Sequence, residues 1–456
     1  MVVHNGETGL RNSSFVMQTI QTMISMFGVL AINVVSAIIL SRGLSPDDRG
    51  IYLGITVWSG FILGLCDVGI FIAAIYLWGK SKESERKDVF TTLLVWASIT
   101  GAVTVIIVML LAGWMIKGHL GPGELTAAYI YYAVSFGGPL TSMISGVLAA
   151  EQRFALMNFC RVGVPTVLTA LWAAYFFFGE LSIGLCLITS AAISLINVIP
   201  YLWQVRGYLK SLGRFRMPLF KKGIWYGLRS HGGSVINVLG GSGTQILLFS
   251  LTPAALALFQ TAVSATAILW AIPKAIGFTS LPNLVKEDRA QLHAKVCRFF
   301  RMTALSIALG AALLGLAEPY LIPFLFGQSY LPAVMPALLL LPSALFGGLA
   351  DLLGNALNST GRTLHNTVAT AVYVGVTLGT MSLTIGVWGM NAAAVATLAG
   401  YFMAFLIRLV WYNVTIQRMS FMQMMPGYPD VQELVHYGLG MIGKLVRRRA
   451  NSAHEA

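Results

Sequence analysis

The amino-acid sequence predicts an all-α polytopic membrane protein with about twelve transmembrane helices. Three observations predict this fold class. The 456 residues are 56% hydrophobic and only 10% charged, whereas a typical soluble domain is about 25% charged. The mean hydropathy is +0.75. The apolar residues form runs long enough to cross a bilayer, and most positive charges lie in alternate loops. This composition excludes a soluble enzyme, a disordered chain and a disulfide scaffold.

The predicted spans follow from length and hydropathy. A membrane-spanning helix needs about 20 mostly apolar residues, and twelve such runs lie between polar or Gly/Pro breaks. They cover residues 13–40, 51–78, 89–116, 125–150, 162–178, 182–203, 224–250, 255–281, 299–317, 333–358, 366–386 and 389–412. The longest polar interval, 204–223, is too short for a domain. We do not expect the first run to be a cleaved signal, because it lacks a basic leading region and is too long.

The distribution of lysine and arginine predicts the orientation. With the N-terminus placed in the cytoplasm, only Arg42, Arg49 and Lys117 lie outside, and Lys274 lies within a span. The other 26 of the 30 basic residues fall in cytoplasmic loops or tails or near the cytoplasmic ends of spans. Because cytoplasmic loops carry excess positive charge, we expect both termini in the cytoplasm. Residues 431–449 have helical apolar spacing and end in three arginines. This pattern favours an amphipathic helix on the anionic inner leaflet over a solvated basic tail.

The chain contains an internal repeat. The turn Leu44–Tyr52 matches Leu251–Phe259 without gaps at an offset of 207 residues, and Gly146–Arg153 matches Asn355–Arg362 at an offset of 209. Six spans per half make the two halves parallel, so the repeat axis is predicted to follow the membrane normal, with a central cavity between the halves. The predicted organisation is an N-terminal six-helix lobe (1–203), a basic cytoplasmic linker (204–223), a C-terminal six-helix lobe (224–412) and a cytoplasmic tail (413–456).

Three stretches carry a family resemblance. They are Leu40–Tyr52 (LSRGLSPDDRGIY), Leu65–Gly69 (LCDVG), and Leu325–Tyr330 (LFGQSY) followed by Asn355–Arg362 (NALNSTGR). In their order and spacing, the chain resembles the Wzx-type polysaccharide-transport branch of the multidrug/oligosaccharidyl-lipid/polysaccharide (MOP) exporter superfamily. The resemblance covers most of the chain. Lys274 departs from it, because that position is not fixed in the family pattern.

The resemblance implies a fold and a function. The expected fold has two six-helix lobes related by a pseudo-twofold axis, as in MOP and multidrug (MATE) transporters. The expected function is the flipping of a polyprenyl-pyrophosphate-linked oligosaccharide across the bacterial inner membrane by alternating access. Its implied partners are that lipid-linked glycan, the membrane lipids and other polysaccharide-assembly proteins.

Polar residues within spans 1 and 7 are candidates for lining the central cavity. Asn33 lies in span 1, and Asn237 and Gln245 lie in span 7, the repeat equivalent of span 1. We expect these three side chains to face the cavity, although polar side chains in membranes also join helices to one another. Arg42 and Arg229 lie at span ends and are further candidates. The alternative for them is that they reach to the lipid headgroups.

Two oppositely charged residues at repeat-equivalent positions suggest a mechanism. Asp67 plus the offset of 207 gives Lys274, so the repeat predicts the two at one depth on opposed lobes. A charge within a span is costly and is functional by default. We expect Lys274 to contact the pyrophosphate and Asp67 to be its resting counter-ion. The alternative is that each residue forms local hydrogen bonds within its own lobe. Asp351 is a third ionisable residue within a span.

The sequence predicts no enzyme. It contains no paired-carboxylate, Ser/His/Asp or phosphate-cradling glycine motif, and the four scattered cysteines favour neither a zinc site nor a disulfide framework. We therefore expect no catalytic residue, metal or cofactor, and the basic loops indicate a membrane rather than a nucleic acid. A cation-coupled multidrug exporter of the same superfamily and a non-transporting component of a glycan-synthesis complex stay open. A basic cavity would favour the pyrophosphate-linked substrate, and an acidic one a cationic drug.

Overall fold

The computed structural model describes residues 25–116, 118, 120–284 and 289–432, and this part of the chain is helical without a β-strand. Within these described residues, twelve helices or broken helices are long and apolar enough to cross a membrane. The helices are α1 (Ser25–Gly43), α2 (Pro46–Cys66), α3 (Ile70–Lys80), α4 (Arg86–Met115), α5 (Pro122–Val134), α6 (Gly137–Ala150), α7 (Ala155–Phe178), α8 (Ile183–Gln204), α9 (Arg206–Lys210), α10 (Met217–Leu251), α11 (Pro253–Leu284), α12 (Arg289–Phe326), α13 (Val334–Ser359), α14 (Thr363–Trp388), α15 (Asn391–Thr415) and α16 (Phe421–Met424). Short 3₁₀ turns cover Glu83–Glu85 and Gln328–Ala333.

The predicted number of spans is confirmed, and the helix ends differ from the predicted span ends. α10 begins at Met217 and α12 covers Arg289–Phe326, well beyond the predicted 224–250 and 299–317. Hydropathy marks the part of a helix that suits lipid, whereas the backbone hydrogen bonds continue into polar sequence. The start of the first predicted span and almost all of the predicted tail helix lie outside the described residues.

The chain folds into two compact units. Unit 1 comprises Met1–Ser264 and Ile322–Ala333, and unit 2 comprises Ala265–Leu321 and Val334–Ala456. α10 belongs to unit 1, because it packs on α2, α3 and α4. The predicted lobes 1–203 and 224–412 stay a prediction.

Each unit has its own buried apolar core. The unit 1 core includes Trp78, Phe90 and Trp96, and the unit 2 core includes Phe300 and Tyr412. Other large apolar side chains are strongly exposed. Examples are Leu110, Phe177, Leu316, Leu383 and Val414. Exposed apolar surface of this extent suits contact with lipid rather than with water.

The repeated turns at the N-termini of α2 and α11 have the same local structure. The two helices begin at the aligned residues Pro46 and Pro253. The hydroxyl of Ser45 accepts a hydrogen bond from the backbone N–H of Asp48, and that of Thr252 accepts one from the N–H of Ala255. Proline in the first turn and a hydroxyl N-cap are standard helix-start signals. The sequence repeat is therefore also a repeat of backbone geometry.

The repeated turns at the C-termini of α6 and α13 also share one geometry. The N–H of Arg153 donates to the carbonyl of Leu148, at 2.9 Å, and the N–H of Arg362 donates to that of Leu357, at 3.0 Å. The preceding residue has a positive φ in both turns. This six-residue closure with a left-handed residue is the Schellman helix end. It occurs twice at the offset of 209 residues.

The N-terminal end of α2 contacts two later segments of unit 1. The Arg49 side chain is 2% exposed. It donates to the hydroxyl of Thr261 at 2.6 Å and lies 5.3 Å from the centroid of the Tyr330 ring. Gly50 lies so close to the backbone of Pro253 that a Cβ atom would clash with it. These contacts hold the start of α11 and the 3₁₀ turn against α2.

The chain after α15 is fastened to α12 by an ion pair. Arg301 donates from Nε to the carboxylate of Asp430 at 2.8 Å, and the same carboxylate accepts the backbone N–H of Gly427 at 2.8 Å. Burial alone would raise the pKa of Asp430, but the hydrogen bonds and the charge of Arg301 outweigh it and lower this pKa below its usual range. The segment 416–432 is therefore held to unit 2 while Asp430 is ionised.

Candidate functional site

The second predicted span is broken in its middle. α2 ends at Cys66 and α3 begins at Ile70. Between them, Val68 and Gly69 have φ values of 49° and 70°. A positive φ is strained for a β-branched valine, whereas glycine adopts it readily. The break is therefore a candidate functional position, since irregular backbone at membrane depth is tolerated where it is enclosed by protein or lines a cavity.

The broken segment lies directly against α10. A Cβ atom at Gly69 would lie 2.7 Å from the carbonyl oxygen of Gly227, and one at Gly227 would clash with the carbonyl of Val68. Only glycine at both positions lets the two backbones approach this closely. The contact fixes the N-terminal end of α3 relative to α10.

Asp67 lies at the break. Its carboxylate faces the backbone N–H groups of Gly69 and Ile70, the hydroxyl of Ser142 on α6 and the imidazole of His231 on α10. The first N–H groups of a helix have no partner within the helix and carry partial positive charge. The broken helix thus supplies Asp67 with local donors in place of water.

A cavity of about 350 Å³ opens beside Asp67 in unit 1. Its lining comprises Gly60, Leu63, Gly64, Asp67, Gly69, Phe71, Ile72, Gly138, Ser142, His231, Ser234 and Val238. Its volume lies at the lower end of the range for small-molecule sites. His231 is 6% exposed, and its Nε2 has no hydrogen-bond partner among the described residues. A buried polar atom without a partner requires an explanation, such as a ligand or an ordered water.

A second cavity of about 240 Å³ lies in unit 1 and shares Gly60, Leu63 and Gly138 with the first. Its polar lining consists of hydroxyls and one amide, from Thr56, Ser59, Tyr131, Ser135, Thr141, Ser194 and Asn197. Ser59 and Ser135 are hydrogen-bonded to each other at 2.7 Å. The hydroxyls of the second cavity suit hydroxyl groups and water, whereas apolar side chains and glycines form most of the lining of the first cavity.

The five site residues predicted on spans 1 and 7 lie in unit 1 and do not line these two cavities; they are Asn33, Arg42, Arg229, Asn237 and Gln245. Asn33 and Asn237 are exposed and Gln245 is half-buried. Arg229 lies over the ring of Trp225, 4.7 Å from its centroid. Arg42 donates to the backbone carbonyls of Phe324 and Leu325. Whether the three amides face a central cavity between the lobes stays a prediction.

Lys274 lies on α11 in unit 2 and is exposed. It is close enough to Asp351 of α13 for their charges to attract. Asp351 also pairs with Arg408 of α15 at 3.5 Å. The Arg408 side chain is buried and donates to the hydroxyl of Thr370 at 3.2 Å, and its Nε has no partner in the part of the chain that the structure describes. Unit 2 therefore contains two cations around one carboxylate within its spans. The predicted pairing of Lys274 with Asp67, which belongs to unit 1, stays a prediction.

Sequence reasoning missed several residues of the unit 1 cavities. The sequence patterns did not indicate Ser142, Thr56, Ser59 or His231 as cavity residues. Serines and threonines are common in membrane helices as packing residues, so their composition alone does not distinguish a cavity. The sequence Asp67-Val68-Gly69 was the one available signal, because glycine after a charged residue within a span suggests an interruption.

Helices arranged in this way, with cavities inside the spans, define a class of membrane protein. The fold is that of the MOP superfamily transporters. The lipid II flippase MurJ in an inward closed conformation is similar to the chain, with a TM-score of 0.70 and 11% identity, over 86% of this chain and 87% of that one. A multidrug resistance MATE family transporter in an inward-facing conformation gives a TM-score of 0.66 and 13% identity, over 85% of this chain and 94% of that one. A MOP superfamily transporter from Pyrococcus furiosus gives a TM-score of 0.60 and 15% identity, over 87% of this chain and 94% of that one.

The chain belongs to the polysaccharide biosynthesis protein family, whose pattern matches residues 39–335. This assignment confirms the polysaccharide branch that the motifs indicated. No curated protein sequence matches the chain.

Proposed function

We propose that the protein flips a polyprenyl-pyrophosphate-linked oligosaccharide across the bacterial inner membrane by alternating access. The observation that carries the proposal is the membership of a polysaccharide biosynthesis family by a chain with the MOP fold. A hydrophilic glycan cannot cross lipid unaided, since each buried polar group without a partner is costly. A protein of this fold in a glycan pathway has a clear task, which is to give the glycan a polar route.

The charges within the spans support a role for Lys274 as the pyrophosphate contact. Lys274 is exposed and Arg408 lies behind Asp351, so this cluster in unit 2 carries one more positive than negative charge. An ammonium group within the bilayer is stabilised by an anionic partner. In the proposed mechanism the pyrophosphate competes with protein carboxylates, including Asp67, for Lys274. The hydroxyls that line the second cavity of unit 1 suit the sugar hydroxyls.

A second candidate function is a multidrug exporter. One observation favours it: the residues that line the 350 Å³ cavity of unit 1 include a carboxylate, Asp67, and neither lysine nor arginine. Such a lining suits a cationic guest. The proposed orientation, with both termini in the cytoplasm, is common to the two candidates.

Deletion of the gene separates these candidates. If the protein is the flippase, the deletion strain accumulates a polyprenyl-linked oligosaccharide at the cytoplasmic leaflet, which is detected by mass spectrometry of lipid extracts. Complementation with the wild-type gene restores export. If the strain instead produces normal glycan and becomes sensitive to cationic drugs, the multidrug function replaces the proposed one.

A further inference from the structure

Two tyrosines and two lysines form a cluster where α3 ends and α10 begins. We call this end of unit 1 the basic face, because Lys80, Lys82, Lys221 and Lys222 lie there. The rings of Tyr76 and Tyr226 are stacked, with centroids 4.0 Å apart and an interplanar angle of 13°. This stack joins α3 to α10 close to the Gly69–Gly227 contact. It is a rigid platform formed by two helices.

Each helix places a lysine one turn from its tyrosine, toward the basic face. Lys80 follows Tyr76 by four residues on α3, and Lys222 precedes Tyr226 by four on α10. Side chains four residues apart lie on one face of a helix. The Lys80 and Lys222 Nζ atoms lie 4.7 Å and 5.6 Å from the centroid of the Tyr76 ring. Both ammonium groups are therefore directed toward the same aromatic ring.

Among the residues that the structure describes, no carboxylate is paired with either of these two positive charges. In the described part of the chain, no acidic oxygen lies within 4.0 Å of either ammonium group. Asp88, on the same face, is already paired with Arg216 at 2.7 Å. Contact with an aromatic ring compensates an exposed cation only weakly. Two like charges held together without an anion form a site that attracts one.

The cluster lies on the way to the cavity at the helix break. His231, which lines that cavity, follows Tyr226 by five residues on α10. At 1.5 Å per residue, this separation is about 7.5 Å along the helix. A ligand held by the two lysines is therefore adjacent to the cavity beside Asp67.

We propose that Lys80 and Lys222 bind the diphosphate group of the lipid-linked glycan at the basic face, with Tyr76 and Tyr226 positioning the two ammonium groups. The proposal rests on the proposed function and adds an entry site to it. A diphosphate presents several anionic oxygens and so accepts charge-assisted hydrogen bonds from two ammonium groups at once. The neighbouring tyrosine rings and hydroxyls suit the first sugar. The diphosphate makes its first contact with the protein here.

Binding of radiolabelled farnesyl diphosphate tests the site. The full-length protein is placed in nanodiscs of phosphatidylcholine, and inorganic pyrophosphate and phosphatidylglycerol serve as competitors. We expect Lys80→Ala and Lys222→Ala each to weaken binding about tenfold, as for loss of a charge-assisted hydrogen bond. Inorganic pyrophosphate should displace the probe, whereas phosphatidylglycerol at the same mole fraction should not.

Neighbouring lysines provide matched controls. Lys82→Ala and Lys221→Ala remove the same charge from the same face, and Lys221 points about 100° away from Lys222 around α10. We expect both to change binding less than about twofold. The double variant Lys80→Arg with Lys222→Arg should retain binding, which separates loss of charge from loss of folding.

Two results would overturn the site. One is an equal loss of binding in all four alanine variants, which would indicate general attraction to a basic surface. The other is equally effective displacement by phosphatidylglycerol, which would indicate a site for ordinary headgroups. Failure of the proposed function looks different: the wild type would bind the probe through these lysines but would not flip a lipid-linked glycan.

Discussion

Asp67 shows how a single residue acquires a setting that composition could not reveal. The offset of the repeat pairs Asp67 with Lys274. In the structure, Asp67 has Gly69 of the helix break, Ser142 of α6 and His231 of α10 as neighbours. Lys274 has Asp351 as a charged neighbour in its own unit. The local contacts fit the alternative that each residue is stabilised within its own unit. They also leave room for a pair that exists in one transport state.

Charge exchange tests the roles of these two residues. We expect Lys274→Ala to slow glycan export by about 10- to 100-fold, as for loss of a charge-assisted contact. If the pair exists, Asp67→Lys combined with Lys274→Asp should export more than either single variant. Export is measured by lipid-linked oligosaccharide accumulation, normalised to the amount of protein in the membrane. Normal export by Lys274→Ala would remove Lys274 from the mechanism.

The ion pair between Arg301 and Asp430 predicts a pH-dependent release of the segment 416–432. The folded-state pKa of Asp430 is lowered, so its stabilising effect is present above the unfolded value of about 3.9. That effect is lost as the pH falls through the lower, folded-state value. We expect Asp430→Asn to raise the rate of proteolysis within this segment by about 10-fold or more at neutral pH. An unchanged rate would show that the ion pair does not hold the segment.

At the scale of elements, hydropathy predicted the spans better than their interruptions. The residues around Cys66–Ile70 are apolar enough to be predicted as one span. The break consists of the two residues with positive φ, Val68 and Gly69. Helix ends were also difficult to predict, because polar residues continue α10 and α12 beyond the lipid. The repeated turns were recognisable because proline, hydroxyl caps and glycine are local signals of helix ends.

Substitution of Gly69 tests the importance of the break. Gly69→Ala places a side chain at a left-handed position, at a cost of about 1–2 kcal/mol, and against the carbonyl of Gly227. We expect a lower free energy of unfolding and a lower thermal midpoint in detergent. Gly79→Ala is the matched control on α3, since its added Cβ meets no atom within 4 Å. Equal thermal midpoints for the two variants would contradict the account of the break.

At the scale of the whole molecule, the sequence was most informative about the fold class. The number of spans and the MOP fold were predictable because the bilayer imposes length, hydropathy and charge rules on every helix. The unit 1 cavities could not be predicted from the sequence, because they depend on which faces of α2, α6, α8 and α10 meet. The assignment of α10 to unit 1 likewise reflects packing with α2 and α3 that no local pattern encodes.

Orientation is testable by labelling single cysteines with a membrane-impermeant reagent in intact cells. We expect a cysteine at Arg214 to be protected, because the basic loop 204–223 should lie in the cytoplasm. A cysteine at Ser329 should be labelled, because the turn Gln328–Ala333 follows α12 at the opposite face. The reverse pattern would contradict both the orientation and the basic face as an entry side.

The most direct test of the central claim is flipping by the purified protein. Proteoliposomes would contain a polyprenyl-diphosphate-linked oligosaccharide, and an impermeant glycosidase outside would report how much of it is accessible. The account predicts that the accessible fraction rises from about half toward all of the substrate when the wild-type protein is present, and that Lys274→Ala slows this rise. If the accessible fraction stays at the level of protein-free vesicles while the protein is folded and inserted, the protein is not a flippase for lipid-linked glycans.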